Sequence, residues 1–215
     1  LQQASYEILL QEWAKAGDHD AVEALSLYSR RSEEDQLAGG KVTRLDNVLK
    51  ALEIVDAINL YRRQAGLEEL LVDPYQLPAS QLQTEYYVNH RKGLSSYQEN
   101  ENVAWGYRPR EAVAFWYSEK DHYRQLAKQF NLPTDESQLD PSQISRKVGP
   151  ELFAKVGHYI HMMGNQYKAI SVAYAPDLEV SQAAFFEEGG PLYTSEELTK
   201  WMRKVANART TKADV

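Results

Sequence analysis

Residues 99–123 read ENENVAWGYRPREAVAFWYSEKDHY, and they carry more chemistry than any other stretch of this length in the chain. Glu101, Trp105, Trp116, Glu119 and His122 fall within one short span. Glu101-Asn102 opens the run Val103-Ala104-Trp105-Gly106-Tyr107, too short for a helix and aromatic enough for a strand that ends in a glycine turn. After Arg108-Pro109 the pattern becomes helical. Spacings of three and four put Trp116, Glu119, His122 and Tyr123 along one side of a helix. A carboxylate on the apolar side of a helix requires a partner, which the rest of the chain must supply.

Upstream, Pro78 suits the first position of a helix running through Leu82, Tyr86 and Tyr87 to His90. Before it, Thr43 and Asp46 approximate a capping box, and Leu45, Leu49, Leu52, Val55 and Ile58 keep helical spacing up to Gly66, which predicts the longest buried helix. Residues 66–73 read as a short apolar connection. Residues 1–42 read as a helical hairpin, Ser5 to Ala16 closed by Gly17 and Asp20 to Leu37 closed by Gly39-Gly40. The mixed charges from Arg30 to Asp35 read as a solvated helix face, and His19 as a turn residue.

Downstream, Asn131 to Lys147 contains Pro133 and Pro141 and little periodicity, which predicts a long surface loop with one helical turn. His158 to Met163 and Tyr167 to Tyr174 are rich in strand formers and separated by Gly164-Asn165, so they read as a hairpin, with a third strand over Leu178 to Phe186. On such a strand His161 faces away from His158. Thr194 and Glu197 form a capping box for a last helix through Leu198, Trp201 and Val205, followed by a frayed tail from Ala206 to Val215. The fold class is α+β: an α-β-α sandwich with a small antiparallel sheet between helices, plus an N-terminal helical extension. The segments are 1–42, 43–190 and 191–215.

The chain has 215 residues, 43% of them hydrophobic, enough for one sizeable core. A formal charge of -7 and a pI near 5.3 provide no basic footprint, so general nucleic-acid binding is not expected. Without cysteine there are no disulfides, thiolate metal sites or cysteine nucleophiles. No segment approaches the roughly 18 apolar residues of a membrane span, and residues 1–13 lack the cationic start and apolar run of a signal peptide. Export would use a signal removed before this numbering. There is no Gly-x-Ser-x-Gly elbow and no glycine-rich phosphate loop. The 14 tyrosines and four tryptophans define no stripe and read as core.

Four residues flank runs that should be buried: His90, Glu101, Glu119 and His158. Around them stand Ile58-Asn59 with Arg62, Gly66, Leu67 and Leu70, then Glu101-Asn102-Val103-Ala104-Trp105-Gly106, then Trp116 with Glu119 and Tyr123, then Gly157-His158-Tyr159. Their order and spacing resemble the CAP superfamily, the group of cysteine-rich secretory proteins, antigen 5 and plant pathogenesis-related class 1 proteins, from about Leu49 to Tyr174. The wording Glu-Asn-Val-Ala-Trp-Gly-Tyr resembles the domains of Gram-positive bacterial surface proteins. The chain departs from the family pattern in the residues Ile160 to Gly164 that follow Tyr159, in lacking the cysteine-centred second signature, and in the eleven-residue step from His90 to Glu101.

The resemblance implies a central cavity lined by the four side chains, which in several relatives holds a divalent cation, often zinc, through the two histidines. His90 and His158 are then the metal ligands, and Glu101 and Glu119 line the cavity and are the candidate general bases. The implied function is that of an extracellular module, secreted or attached to the cell wall or surface through a part of the protein outside this sequence, that binds a host or cell-surface component. A metal-dependent hydrolase of peptide or phosphodiester bonds and a lipid or sterol carrier are the alternatives. A plainer role exists for each residue: Glu101 as an acceptor that holds the turn before its strand, Glu119 as a partner of His122 or a lysine.

Overall fold

The computed structural model describes residues 4–91 and 98–213. The last two residues of the expected tail and the middle of the step from His90 to Glu101 lie outside the described residues. Along the chain run α1 (Glu7–Lys15), α2 (His19–Ser26), α3 (Glu33–Gly39), α4 (Leu45–Gln64), β1 (Leu71–Val72), α5 (Leu77–His90) and β2 (Glu101–Ala104). They are followed by α6 (Pro109–Tyr117), α7 (Lys120–Phe130), α8 (Pro141–Val148), α9 (Pro150–Ala154), α10 (Gly157–Met163), β3 (Ala169–Ala175), β4 (Val180–Phe186) and α11 (Ser195–Ala213). Short 3-10 turns cover Leu27–Arg30 and Glu136–Gln138.

The apolar spacing from Leu45 does form the longest helix, 20 residues, with Leu45, Val48, Leu52, Val55 and Ile58 buried along it. Two of its polar residues are buried because they brace other segments. Asn59 donates Nδ2 to Leu70 O at 3.0 Å and accepts Leu70 N–H at 2.7 Å, closing the two-residue approach to β1. The Arg62 guanidinium, 1% exposed, donates to the carbonyls of Glu68, Met162 and Gly164 at 2.8, 3.0 and 3.0 Å. Burial pulls it down to about 10 from the usual arginine range.

The sheet has four strands in the order β1-β3-β4-β2. β3 and β4 form an antiparallel hairpin in which Ser171 pairs with Ala184 and Ala173 with Gln182, β2 adds antiparallel to β4, and β1 lies parallel to β3. The sheet is therefore mixed, not purely antiparallel, since β1 pairs parallel with β3. Strand alternation separates two layers. Ile170, Val172, Tyr174, Ala183 and Phe185 enter the main core with α4, α6 and α10. Ala173, Ala175 and Val180 pack instead with Tyr87 and Val88 of α5.

Several elements differ from the sequence reading. Residues expected as one helix from Asp20 to Leu37 divide at Arg31, whose ψ of 129° is extended, and Ser32 caps the next segment by accepting the Asp35 N–H at 3.0 Å. Arg31 is not solvated: its side chain is 9% exposed and pairs with Glu85. The N-cap of α4 is Arg44, not Thr43, and it makes no side-chain cap bond. The helix over Trp116 to Tyr123 is two helices that meet at Ser118-Glu119. The proposed loop 131–147 contains α8, begun by an Asp140 cap to Gln143 N–H and by Pro141. Residues 158–163 are helix α10 and not a strand: burying Tyr159, Ile160, Met162 and Met163 at 0 or 1% exposure outweighs their β preference. The hairpin forms between β3 and β4, and α11 continues to Ala213 where fraying was expected.

The capping box at Thr194 is present in both directions, Glu197 N–H to Thr194 Oγ1 at 3.1 Å and Thr194 N–H to Glu197 Oε2 at 2.8 Å.

Candidate functional site

His158 is the second residue of α10 and Glu119 stands at the break between α6 and α7. The break is what aims the carboxylate. Oε1 accepts the Tyr159 N–H at 3.0 Å and Oε2 lies 3.0 Å from His158 Nδ1. An ionised carboxylate only accepts, so Nδ1 carries a proton, and in the neutral imidazole the lone pair then sits on Nε2. The histidine side chain is 32% exposed and the glutamate 16%. The imidazole is flanked by the exposed Phe115 ring at 6.5 Å and the buried Trp116 ring at 6.2 Å, and Phe115 stacks on Tyr107 at 4.8 Å. Below the pair, Tyr159 donates to Glu136 Oε2 at 2.8 Å, and Lys120 Nζ reaches Glu136 Oε1 at 2.9 Å. Burial pushes the Tyr159 hydroxyl well above its ordinary range, aided by Glu136.

Glu101 does not join this pair. It belongs to β2 beside Asn102, and successive strand residues face opposite sides of the sheet. Asn102 faces α10, donating Nδ2 to His158 O at 2.8 Å and accepting from His161 Nδ1 at 3.1 Å. Glu101 faces α5. Its carboxylate accepts from Gln83 Nε2 at 3.1 Å, from Gln182 Nε2 at 3.2 Å and from the Tyr87 hydroxyl. Gln182 also donates to Gln98 Oε1 at 2.9 Å, and Ser80 Oγ lies 3.0 Å from that oxygen and 2.6 Å from Ser171 Oγ. The result is a polar layer between α5 and the sheet with Glu101 as its charged acceptor.

His90 does not join either. At the end of α5 it is 44% exposed, stacks on Tyr86 at 4.1 Å and lies 3.1 Å from Asp35 Oδ1 of α3. Of the four residues singled out by sequence, the structure brings Glu119 and His158 together, holds Glu101 on the other face of the sheet and leaves His90 at the surface. Among the described residues, no group of three or more His, Asp or Glu side chains is placed to hold a metal ion. The residues present therefore do not fit the four-residue metal site that the resemblance implied.

The residues that sequence reasoning missed are Asn102 and His161. On a helix, positions i and i+3 share a side, so His161 lies on the His158 end and not across a sheet. Its ring is packed among Phe153, Phe185 and Tyr167, and burial, with the nearby His158, pulls it down to about 4. The signal for Asn102 was present: a strand beginning at Glu101 commits its neighbour to the opposite face.

The sequence model of the CAP family, described as the cysteine-rich secretory protein family, matches residues 55–185, well over half of the chain. The chain belongs to the CAP family. No curated protein matches it. In this CAP domain the matched region spans the second half of α4, the sheet up to the last residue of β4 and the Glu119–His158 pair, whereas α1, α2, α3 and α11 lie outside it. No helix among the described residues is long and apolar enough to cross a membrane.

Proposed function

We propose that this CAP domain is an extracellular binding module, secreted or held at a cell surface, and that a ligand is met at the open Nε2 edge of His158. The observation that carries this reading is the Glu119–His158 hydrogen bond, which fixes the tautomer and leaves a lone pair at a half-exposed edge beside Phe115. Family membership supports the extracellular setting, since CAP domains are typically extracellular. A host or cell-surface component is the partner class proposed. A divalent cation such as zinc would find one oriented imidazole here and would complete its sphere with solvent or with donors of a larger ligand.

Calorimetric titration of zinc into the full chain near pH 7.5, repeated with His158→Ala, tests the edge as a binding site. Binding should disappear in the variant. Equal binding in both proteins removes His158 from the function.

A hydrolytic role is favoured by one feature: a carboxylate orienting an imidazole whose second nitrogen is free is the base half of many hydrolytic sites. Hydrolysis of peptide or phosphodiester substrates that survives in both His158→Gln and Glu119→Gln would eliminate that role.

A further inference from the structure

The 3-10 turn at Leu27–Arg30 and the helix α2 before it lie over the segment Asp73 to Gln76, and an open cavity of about 400 Å³ remains between them. One side of it comes from Asp20, Glu23, Ser26 and Arg30, the other from Tyr75 and Gln76. The first group lies outside residues 55–185, so the cavity is made by this chain's own N-terminal extension closing on the CAP domain. It is separate from His158, which is not among its lining residues.

The chemistry of the walls is mixed. Asp20, Glu23 and Arg30 are all exposed, and none has a side-chain hydrogen bond or ion pair among the described residues. Gln76 adds an amide that both donates and accepts. Tyr75 is held rigidly, its hydroxyl donating to Asp18 Oδ2 at 2.6 Å and its ring 5.8 Å from Trp13. Trp13 in turn stacks on Tyr193 at 5.9 Å and meets Trp201 edge-on at 6.4 Å. Trp201 is 41% exposed and carries Lys204 Nζ 5.3 Å from its ring. From Tyr75, which lines the cavity, ring contacts thus run through Trp13 to Tyr193 and Trp201, joining α1, α11 and two loops although the four rings are scattered along the sequence.

Three kinds of occupant can be weighed. A simple anion would face Asp20, Glu23 and the nearby Asp73, and a simple cation would face Arg30 in the same wall. A neutral polyhydroxylated ring meets neither objection. Its hydroxyls donate to the carboxylates and accept from Arg30 and Gln76, while its C–H face lies on an aromatic ring. The cavity stands at the small end of ordinary ligand sites, roughly 300–1,000 Å³, which suits one or two sugar units. We infer that the cavity between α2 and Tyr75 is a binding site for a neutral saccharide, with the Trp13–Tyr193–Trp201 surface extending it for a longer chain.

The probes are maltose, cellobiose, lactose and N,N′-diacetylchitobiose, each added to the full chain and followed by saturation-transfer NMR and by tryptophan fluorescence. At least one should bind with a dissociation constant of about 1 mM or tighter, with saturation strongest on the C–H face of one ring. Glu23→Ala and Arg30→Ala should each weaken it about tenfold with the thermal unfolding midpoint unchanged, since both side chains are exposed and unpaired. His158→Ala should leave it intact, which separates this site from the one proposed above. Binding should be indifferent to salt, because the ligand is uncharged. Failure of all four sugars to bind, binding that persists undiminished in both variants, or displacement of the sugar by low millimolar spermine overturns the inference; the last result would assign the cavity to amines.

Discussion

Arg31 grips Glu85 with two hydrogen bonds, Nε to Oε2 at 2.9 Å and Nη2 to Oε1 at 2.6 Å, and the glutamate side chain has no exposed surface. The pair ties the N-terminal extension to α5, a helix whose Ser80, Gln81, Gln83, Thr84 and Glu85 are all buried. Burial pushes the Glu85 carboxyl up from the usual carboxylate range, and Arg31 works against that push. Tyr28 adds a second tie, donating to Gln81 Oε1 at 2.5 Å.

Removing one member of such a pair leaves the other buried without a countercharge. Arg31→Ala should therefore lower unfolding stability by about 3–5 kcal/mol, measured by guanidinium denaturation of the full chain. The double variant Arg31→Met with Glu85→Leu should recover most of that loss. A single variant as stable as the parent would mean that the extension is not held by this pair.

Gly39 was readable as a helix stop, and its second role emerges only from packing. A Cβ placed there would lie 2.8 Å from Glu85 Cα, so the backbones of α3 and α5 meet at this point. Gly39→Ala should destabilise the chain by about 1–3 kcal/mol through overpacking. Because it strains the same contact, its cost should not add fully to that of Arg31→Ala in a double-mutant cycle. Full additivity would place the two effects in separate regions.

What could be read from the sequence was whatever is encoded locally. The apolar spacing along α4, Pro78 at the start of α5 and the Thr194–Glu197 box need only a few neighbouring residues. What could not be read was decided at long range. Residues 158–163 satisfy either a strand or a short helix by composition, and the choice falls to helix where Arg62, about 100 positions earlier, takes the carbonyls of Met162 and Gly164. The pairing of Glu119 with His158 was expected, but the expected third and fourth members were lost to two geometric facts. β2 turns Glu101 towards α5, and α3 offers Asp35 to His90.

His161 sets a pH dependence. Its folded value of about 4 lies below the ordinary histidine value of about 6.5, so the unfolded chain binds more protons between those limits. The stabilising contribution is fully present above pH 6.5 and falls as pH drops towards 4, by about 3 kcal/mol over the window. Denaturation midpoints collected from pH 4 to 7.5 should show this slope, flattened in His161→Gln relative to the parent. Carboxylates contribute equally to both proteins, so parallel slopes would show that His161 is not the group responsible.

The separation of Glu101 from the Glu119–His158 pair makes a last prediction that a shared four-residue site would contradict. Glu101→Gln puts a second set of amide hydrogens where Gln83, Gln182 and Tyr87 already donate. The resulting unsatisfied donors should cost about 1–3 kcal/mol of stability. On the other face of the sheet nothing should change, and the ring ¹⁵N shifts of His158 should still report the Nδ1–H tautomer. Glu119→Ala should do the reverse to the ring: with its acceptor gone, His158 returns towards the Nε2–H tautomer that free imidazole prefers, and the lone pair leaves the exposed edge. If Glu101→Gln alters the His158 tautomer as much as Glu119→Ala does, the two carboxylates share one site and the division by the sheet is wrong. If only Glu119→Ala does, the binding edge is set by a single carboxylate and Glu101 is a structural acceptor.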